Sequence, residues 1–270
     1  MADNRPIGIF DSGLGGLTVV KEIIKELPNE DIVYFGDTGR VPYGTRSVDT
    51  IKKYALEDEK FLLTHNVKLI IAACGTVSSV AGDVAKGLPV PYFEVVSHAA
   101  KSAVEASRNK KIAVIGTNAT VKSGQHKAEI LKLCPKASVI NCACPLFVPL
   151  VEEGWCDEND VIVLETVKRY LAPIIDFGAD TLILGCTHYP VLSGAISRVL
   201  GQDVTLINAG TATAKAVAEF IKQQELENLN GGSTKFFVSD KPDFFKEQAA
   251  TLLNKEIDDR KVLKVDIGNL

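Results

Sequence analysis

Short apolar runs alternate with helical segments along the chain, and this alternation constrains the fold more than any other feature. Runs typical of strands recur at residues 6–10, 31–36, 68–73, 90–96, 111–116, 137–142, 180–185, 204–208 and 235–239. Most lack the two-residue alternation of a half-exposed strand, which indicates strands covered on both faces. Apolar residues between 19 and 27, and between 163 and 171, fall at helical spacing. The order predicts an α/β fold with mainly parallel sheets covered by helices.

A weak internal duplication suggests two similar domains. The segment "IGIFDS" at 7–12 resembles "IAVIGT" at 112–117, and "LIIAACGT" at 69–76 resembles "TLILGCTH" at 181–188. We therefore expect two pseudo-twofold-related α/β domains with the active site in the cleft between them. The first would span residues 1–97 plus 209–270 and the second 98–208. Residues near 97–110 would cross between them.

Composition narrows the classes of function. The chain has 270 residues, 46 % of them hydrophobic, and a net charge of −4 at pH 7. Without a basic run, nucleic acid is not an expected partner, and without about 18 continuous apolar residues, neither is a membrane. No signal-peptide pattern opens the sequence, so we expect a cytoplasmic protein whose six cysteines are thiols. No CxxC pair occurs, so no metal site is predicted.

Cys74 and Cys186 each follow an apolar strand and precede a polar loop. If the two halves face each other, each strand end presents a thiol to a shared cleft. One sulfur could then take a proton from a carbon atom while the other delivers a proton to the opposite face. A thiol suits this role because its pKa, about 8.5, lies near working pH, and its surroundings must favour the thiolate. The bland alternative is two ordinary buried cysteines.

Two further groups could assist the second cysteine. His188 lies two residues beyond Cys186 and could polarise that thiol or share a proton with it. The Cys-x-His spacing could also supply two zinc ligands, although no second matched pair is evident. Glu152 could reach the same cleft, or it could be a charge at a helix end.

Two loops offer groups that could hold a substrate. In "IGIFDSGLGGLTVV", Ser12 and nearby N–H groups could bind a carboxylate, and Asp11 could bind an ammonium or exchange a proton with a thiol. A dinucleotide-binding loop is one alternative, but the GxGxxG spacing is missing. The other alternative is that Asp11 only caps the N-terminus of a helix. In "FGDTGRVPYGTRS", Pro42, Tyr43 and Gly44 could form a rigid wall that carries free backbone N–H groups.

Together these motifs resemble the glutamate racemases of the cofactor-independent aspartate/glutamate racemase superfamily. The resemblance covers nearly the whole chain through "IGIFDSGLGGLTVV", "YFGDTGRVPYGTRS", "CPLFVPLVEEG" and "DTLILGCTHYP". It implies interconversion of L- and D-glutamate for peptidoglycan synthesis, no cofactor, and often a homodimer. The roles that it implies are Cys74 as the base for the D-enantiomer, Cys186 as the base for the L-enantiomer, and Asp11, His188 and Glu152 as assisting groups. Substrate-holding positions would be Ser12, Tyr43, Gly44, Thr76 and Thr187.

One departure from the family bears on the substrate. Where the family usually reads Ala-Cys-Asn-Thr, this chain reads "ACGT", so Gly75 lacks an amide that would contact substrate. Loss of one such hydrogen bond to a charged group would cost about 1.5–3 kcal/mol, or roughly tenfold to a hundredfold in affinity. Two alternatives therefore stay open: a racemase for another amino acid, and an amino-acid-binding homologue with impaired catalysis.

Overall fold

The computed structural model describes residues 3–267, apart from the side chain of Asp259. Two parallel sheets with flanking helices account for most of this chain. Among these residues, no helix combines the length and apolar character needed to cross a membrane. The α/β class that the alternating pattern predicts is confirmed.

The first sheet has six strands in the order β10-β9-β2-β1-β3-β4. Its strands are β1 (Ile7–Asp11), β2 (Ile32–Gly36), β3 (Leu69–Ala72), β4 (Tyr92–Glu94), β9 (Thr234–Val238) and β10 (Val262–Lys264). The helices between and after them are α1 (Leu17–Glu26), α2 (Val48–Thr64), α3 (Gly75–Val80), α4 (Val95–Ala106), α10 (Ala209–Gln223) and α11 (Pro242–Leu253). Every pairing in this sheet is parallel.

The second sheet has four strands in the order β6-β5-β7-β8, again all parallel. Its strands are β5 (Lys111–Gly116), β6 (Ser138–Ala143), β7 (Thr181–Leu184) and β8 (Thr205–Asn208). The accompanying helices are α5 (Asn118–Ser123), α6 (Gln125–Leu133), α7 (Phe147–Glu152), α8 (Val161–Phe177) and α9 (Ser193–Leu200). Short 3₁₀ helices occur at Tyr43–Thr45, Tyr189–Leu192 and Asp259–Lys261.

Four neighbouring strands of the first sheet follow the same order as the four strands of the second. In the first, β1 lies between β2 and β3, with β4 beyond; in the second, β5 lies between β6 and β7, with β8 beyond. The segments that look duplicated in sequence thus occupy matching places, with β1 corresponding to β5 and β3 to β7. Because parallel strands all end at one edge of their sheet, the residues after β1 and β3 lie side by side, as do those after β5 and β7.

The core explains why the strands lack alternation. Every residue of β1, β2, β3 and β7 is buried, because helices cover both faces of each sheet. Helix α1 buries Leu17, Val19, Val20 and Ile23 against the first sheet, and α8 buries Val163, Val167, Leu171 and Ile174 against the second. The predicted helical spacing at these two segments matches the observed helices.

Two details differ from the predicted elements. The run 90–96 contains only a three-residue strand, because the Glu94 side chain accepts hydrogen bonds from the backbone N–H groups of Val96 and Ser97 and starts α4. The predicted crossing segment near 97–110 is therefore mostly helical. Beyond residue 209 the chain adds β9 to the first sheet, and the short edge strand β10 lies outside the predicted runs.

Candidate active site

Cys74 lies at the N-terminus of α3, directly beyond the end of β3. Its side chain is buried, and its Sγ lies 3.7 Å from the Oγ of Ser12, which follows the neighbouring strand β1. Burial, reinforced by the negative charge of Asp11, raises the pKa of the Cys74 thiol to about 12. The expected environment that favours a thiolate is therefore not found at this sulfur, which is a protonated thiol at neutral pH.

Asp11 ends β1 and is fully buried. Its Oδ2 accepts hydrogen bonds from the backbone N–H groups of Gly13 at 3.1 Å and Gly16 at 2.9 Å. Its Oδ1 lies 3.4 Å from the Oγ1 of Thr187, which belongs to the loop after β7. Burial raises the pKa of Asp11, while the charge of His188 and these hydrogen bonds oppose that rise. Asp11 therefore connects the loop after β1 to the loop that carries Cys186.

Cys186 follows β7, and two successive contacts link its sulfur through His188 to Glu152. Its Sγ lies 3.8 Å from Nδ1 of His188, whose Nε2 lies 3.2 Å from Oε1 of Glu152 at the end of α7. Burial lowers the pKa of His188, but its hydrogen bonds to Cys186 and Glu152, and the charges of Cys186 and Asp11, raise it to about 10. An imidazolium here has an N–H that can donate a hydrogen bond to the Cys186 sulfur.

The two cysteines thus lie in opposite electrostatic surroundings. Cys74 is desolvated beside a carboxylate, whereas Cys186 accepts from a cationic imidazole. They are also close enough for the charge of Cys186 to contribute to the raised pKa of Cys74.

The loop with Pro42, Tyr43 and Gly44 is anchored through the tyrosine. Tyr43 is buried, and its hydroxyl lies within hydrogen-bonding distance of Asp37 and of Asp58, with 3.0 Å to the Oδ2 of Asp58. Burial, followed by the charge of Asp37, raises the pKa of Asp58 well above its usual range. This anchor was missing from the sequence prediction, since Asp37 and Asp58 lie on different elements and no local motif joins them.

Thr76 and Gly44 meet Thr117 of the second domain, a residue that sequence reasoning missed. The Oγ1 atoms of Thr76 and Thr117 are 3.1 Å apart. A Cβ built on Gly44 would lie 2.7 Å from that of Thr117. Thr117 follows β5, the counterpart of β1, so the duplication itself was a usable signal. Ser12 contacts the Cys74 sulfur and Thr187 follows Cys186 in the chain. Thr76 and Gly44 lie against Thr117, Tyr43 is buried, and Pro42 is exposed.

A further hydrogen bond joins the two domains. The Oγ1 of Thr18 donates to the backbone carbonyl of Thr187 at 2.9 Å, which adds a further bond across the cleft. The cavity that touches both Gly75 and Cys186 measures only about 10 Å³, roughly the room for one water molecule. A surface cavity of about 590 Å³ lies outside, where Gly44 and Asn118 approach each other from the two domains.

Matching sheets, each with a cysteine just beyond one strand end, define the class: a two-domain α/β protein with a thiol in each domain. The family model described as "Asp/Glu/Hydantoin racemase" matches residues 7–217. The chain belongs to this family of racemases.

Curated relatives and solved structures agree with this assignment. A glutamate racemase from Geobacter metallireducens is 45 % identical over 241 residues, which is 88 % of each chain. Another from Sulfurihydrogenibium sp. is 44 % identical over 267 residues, or 98 % of each chain. The fold matches the crystal structure of glutamate racemase isoform RacE1 from Bacillus anthracis with a TM-score of 0.93 at 34 % identity, over 98 % of both chains. It also matches the Francisella tularensis glutamate racemase in complex with D-glutamate, with a TM-score of 0.90 at 37 % identity, over 99 % of this chain and 100 % of the other.

Proposed function

We propose that this protein interconverts L- and D-glutamate through two bases, Cys74 and Cys186, without a cofactor. The observation that carries the proposal is the placement of both sulfurs at matching strand ends of two sheets that share the order of four neighbouring strands. Two sulfurs in one cleft offer a base and an acid to opposite faces of a small substrate. A single-nucleophile reaction would leave the second cysteine without a role.

The contact between His188 and the Cys186 sulfur supports a first step at Cys186 for the L-enantiomer. With L-glutamate bound, the Cys186 thiolate takes the α-proton, and the Cys74 thiol delivers its proton to the opposite face. One C–H bond breaks and one forms, so Cys186 ends protonated and Cys74 ends ionised. The D-enantiomer reacts by the reverse transfers. His188 would stabilise the Cys186 thiolate, Glu152 would hold His188 in its charged form, and Asp11 would take the substrate ammonium or assist Cys74.

Substrate positions follow from the same cleft. Ser12, Thr76 and Thr187 have hydroxyls at the two cysteine loops, and Pro42, Tyr43 and Gly44 form the wall beside them. Gly75 contributes backbone only. We infer that these residues hold the carboxylates and ammonium of glutamate. The substrate assignment is supported by relatives named as glutamate racemases and by the Francisella tularensis structure with D-glutamate.

The same comparisons do not favour another amino acid as substrate, although Gly75 replaces the usual asparagine. An impaired binding homologue is also disfavoured, because the site retains Cys74, Cys186, Asp11, His188 and Glu152. We further propose a role in supplying D-glutamate for peptidoglycan and assembly as a homodimer. Six free thiols suit a reducing cytoplasm.

Incubation in D₂O with a panel of L- and D-amino acids, without added cofactor or metal, tests the proposal. Loss of the α-proton signal by NMR, together with inversion followed by circular dichroism, is expected for both glutamate enantiomers. Faster exchange of another amino acid would overturn the substrate assignment. Binding by calorimetry without any exchange would show that the protein only binds amino acids.

A further inference from the structure

The loops that carry the two cysteines touch at a point where neither has a side chain. Gly75 directly follows Cys74, and Gly185 directly precedes Cys186. A Cβ built on Gly75 would lie 2.2 Å from the carbonyl oxygen of Gly185 and 3.1 Å from its carbonyl carbon. Ordinary contacts between heavy atoms are about 3.5–4.0 Å. The two backbones can therefore approach this closely only because residue 75 is glycine.

Both sides of this contact are held by their own domain. The backbone N–H of Gly185 donates to the carbonyl oxygen of Ile115 at 2.8 Å, which fixes it to the second sheet. A Cβ on Gly185 would lie 2.7 Å from that same oxygen, so this position cannot carry a side chain either. Gly75 is the first residue of α3, directly after Cys74, and follows β3, which pairs with β1 and β4. Neither backbone can yield without a movement of the domain behind it.

Other close approaches across the cleft are of a different kind. A Cβ on Gly15 would meet the Oγ1 of Thr187 at 2.3 Å, and one on Gly44 would meet the Cβ of Thr117 at 2.7 Å. In both cases the opposing atom belongs to a side chain. Only the Gly75 contact, among these three, sets backbone against backbone, and only it lies next to both sulfurs.

We propose that Gly75 is a positioning residue, whose contact with the carbonyl of Gly185 sets the separation of the Cys74 and Cys186 sulfurs when the cleft is closed. This inference rests on the proposed function and adds a determinant of its geometry. The glycine at residue 75 lacks a substrate-contacting amide, but it allows a closer approach of the two bases.

A Cβ at residue 75 would force the strand ends apart by at least about 1.3 Å, from 2.2 Å to the ordinary contact distance of about 3.5 Å. A misplacement of that size costs about a hundredfold in rate. Local conformation predicts no damage, because the φ of Gly75 is not positive and alanine is favoured over glycine in helices by up to about 1 kcal/mol. Helix propensity therefore predicts that Gly75→Ala leaves stability unchanged or raises it, whereas the contact with Gly185 predicts a loss of rate. Measurements of stability and rate separate the two effects.

The test compares Gly75→Ala with Gly82→Ala. Gly82 is exposed, follows the same helix, and a Cβ there would have its nearest neighbour at 4.0 Å. We expect kcat for glutamate racemisation to fall about a hundredfold in Gly75→Ala and to stay within about twofold in Gly82→Ala, with the melting temperature of both near that of wild type. A Gly75→Ala enzyme that keeps kcat within about twofold would overturn the proposal. So would a lower melting temperature with kcat per folded molecule unchanged.

Thiol alkylation gives a second readout that does not depend on activity. With iodoacetamide and peptide mass mapping, Cys74 and Cys186, which are 4 % and 9 % exposed, should react several-fold faster in Gly75→Ala. Cys144, which is 0 % exposed, reports any global unfolding. Equal rates in wild type and a folded variant would contradict the inference. If Gly75→Ala is unfolded, Gly44→Ala is the second variant, because a Cβ at residue 44 would push against Thr117 and open the cleft. Cys74 and Cys186 should then be alkylated faster than in wild type. Alkylation of Gly44→Ala at the wild-type rate would count against the proposal. A wild-type enzyme inactive on glutamate would refute the proposed function, and alkylation alone would then decide this inference.

Discussion

The Nε2 of His188 lies 3.2 Å from the Oε1 of Glu152, a side chain that reaches it from the end of a different helix. This contact is one of the causes that raise the pKa of the imidazole, against the lowering effect of burial. Because the other ring nitrogen faces the Cys186 sulfur, Glu152 acts on the proposed base without touching it.

Glu152→Gln should therefore lower the pKa of His188 from about 10. The amide can still accept a hydrogen bond, but it has no charge to stabilise the imidazolium. We expect the alkaline limb of the kcat profile to move down by about one to two pH units, since a charge-assisted hydrogen bond is worth about 1.5–3 kcal/mol. Racemisation rates between pH 7 and 10 measure this shift. Glu153→Gln is the matched control, because Glu153 is exposed; an unchanged limb in Glu152→Gln would show that the contact has no such effect.

Cys74 should react with iodoacetamide at a rate that climbs about tenfold per pH unit from pH 7 to 10, because only the thiolate reacts and its fraction is small below the raised pKa. Asp11→Asn should increase that rate several-fold at a fixed pH, because removal of the carboxylate charge lowers the pKa of Cys74. Mass mapping of the Cys74 peptide measures both. Asp203→Asn, in an exposed turn before β8, should leave the rate unchanged. A plateau near pH 8 would contradict the buried-thiol assignment.

Tyr43→Phe should weaken the anchoring of the loop that contains Pro42, Tyr43 and Gly44. The hydroxyl lies between the carboxyl groups of Asp37 and Asp58, and its removal leaves buried polar groups with one partner fewer. We expect a loss of about 1–3 kcal/mol in the free energy of unfolding, measured by urea denaturation, and a higher KM for glutamate. Tyr54→Phe is the control. The Tyr54 ring packs on that of Tyr43 with centroids 5.3 Å apart, but no hydrogen bond of its hydroxyl is found within residues 3–267. Equal effects of the two changes would point to ring packing alone.

The local sequence pattern was enough to predict most strands, because strands buried on both faces consist of continuous apolar runs. It also predicted that Cys74 and Cys186 each follow a strand. It failed where tertiary structure decides. The strand after Val90 is cut short by the capping side chain of Glu94, and β10 is a three-residue edge strand with little apolar signal.

The charge states within the site could not be predicted from the sequence either. The high pKa of Cys74 comes from desolvation and from Asp11, which lies far away in sequence. The Gly75–Gly185 contact likewise depends on how the two domains meet, so "ACGT" could suggest a lost amide but not a closer approach. Residue identities at strand ends are local information, whereas distances across a cleft are not.

Glu59 provides a stability prediction away from the cleft. Its side chain lies on α2 at 1 % exposure, and neither carboxyl oxygen has a hydrogen-bond partner among the described residues. Burial raises its pKa from 4.5 to about 7. Because the folded-state pKa is the higher one, the neutral acid is favoured on folding. This contribution to stability is full below about pH 4.5 and is lost as pH rises through about 7.

Glu59→Gln keeps the shape and removes the ionisation. We expect the unfolding free energies of variant and wild type to be similar near pH 4.5. At pH 8 we expect the variant to be more stable by about 1–3 kcal/mol. Urea denaturation at a series of pH values measures the difference. Glu105→Gln, an exposed change on α4, should show no such pH trend. If Glu59→Gln matches wild type at pH 8, the carboxylate has a stabilising partner when ionised, and the burial argument for its raised pKa fails.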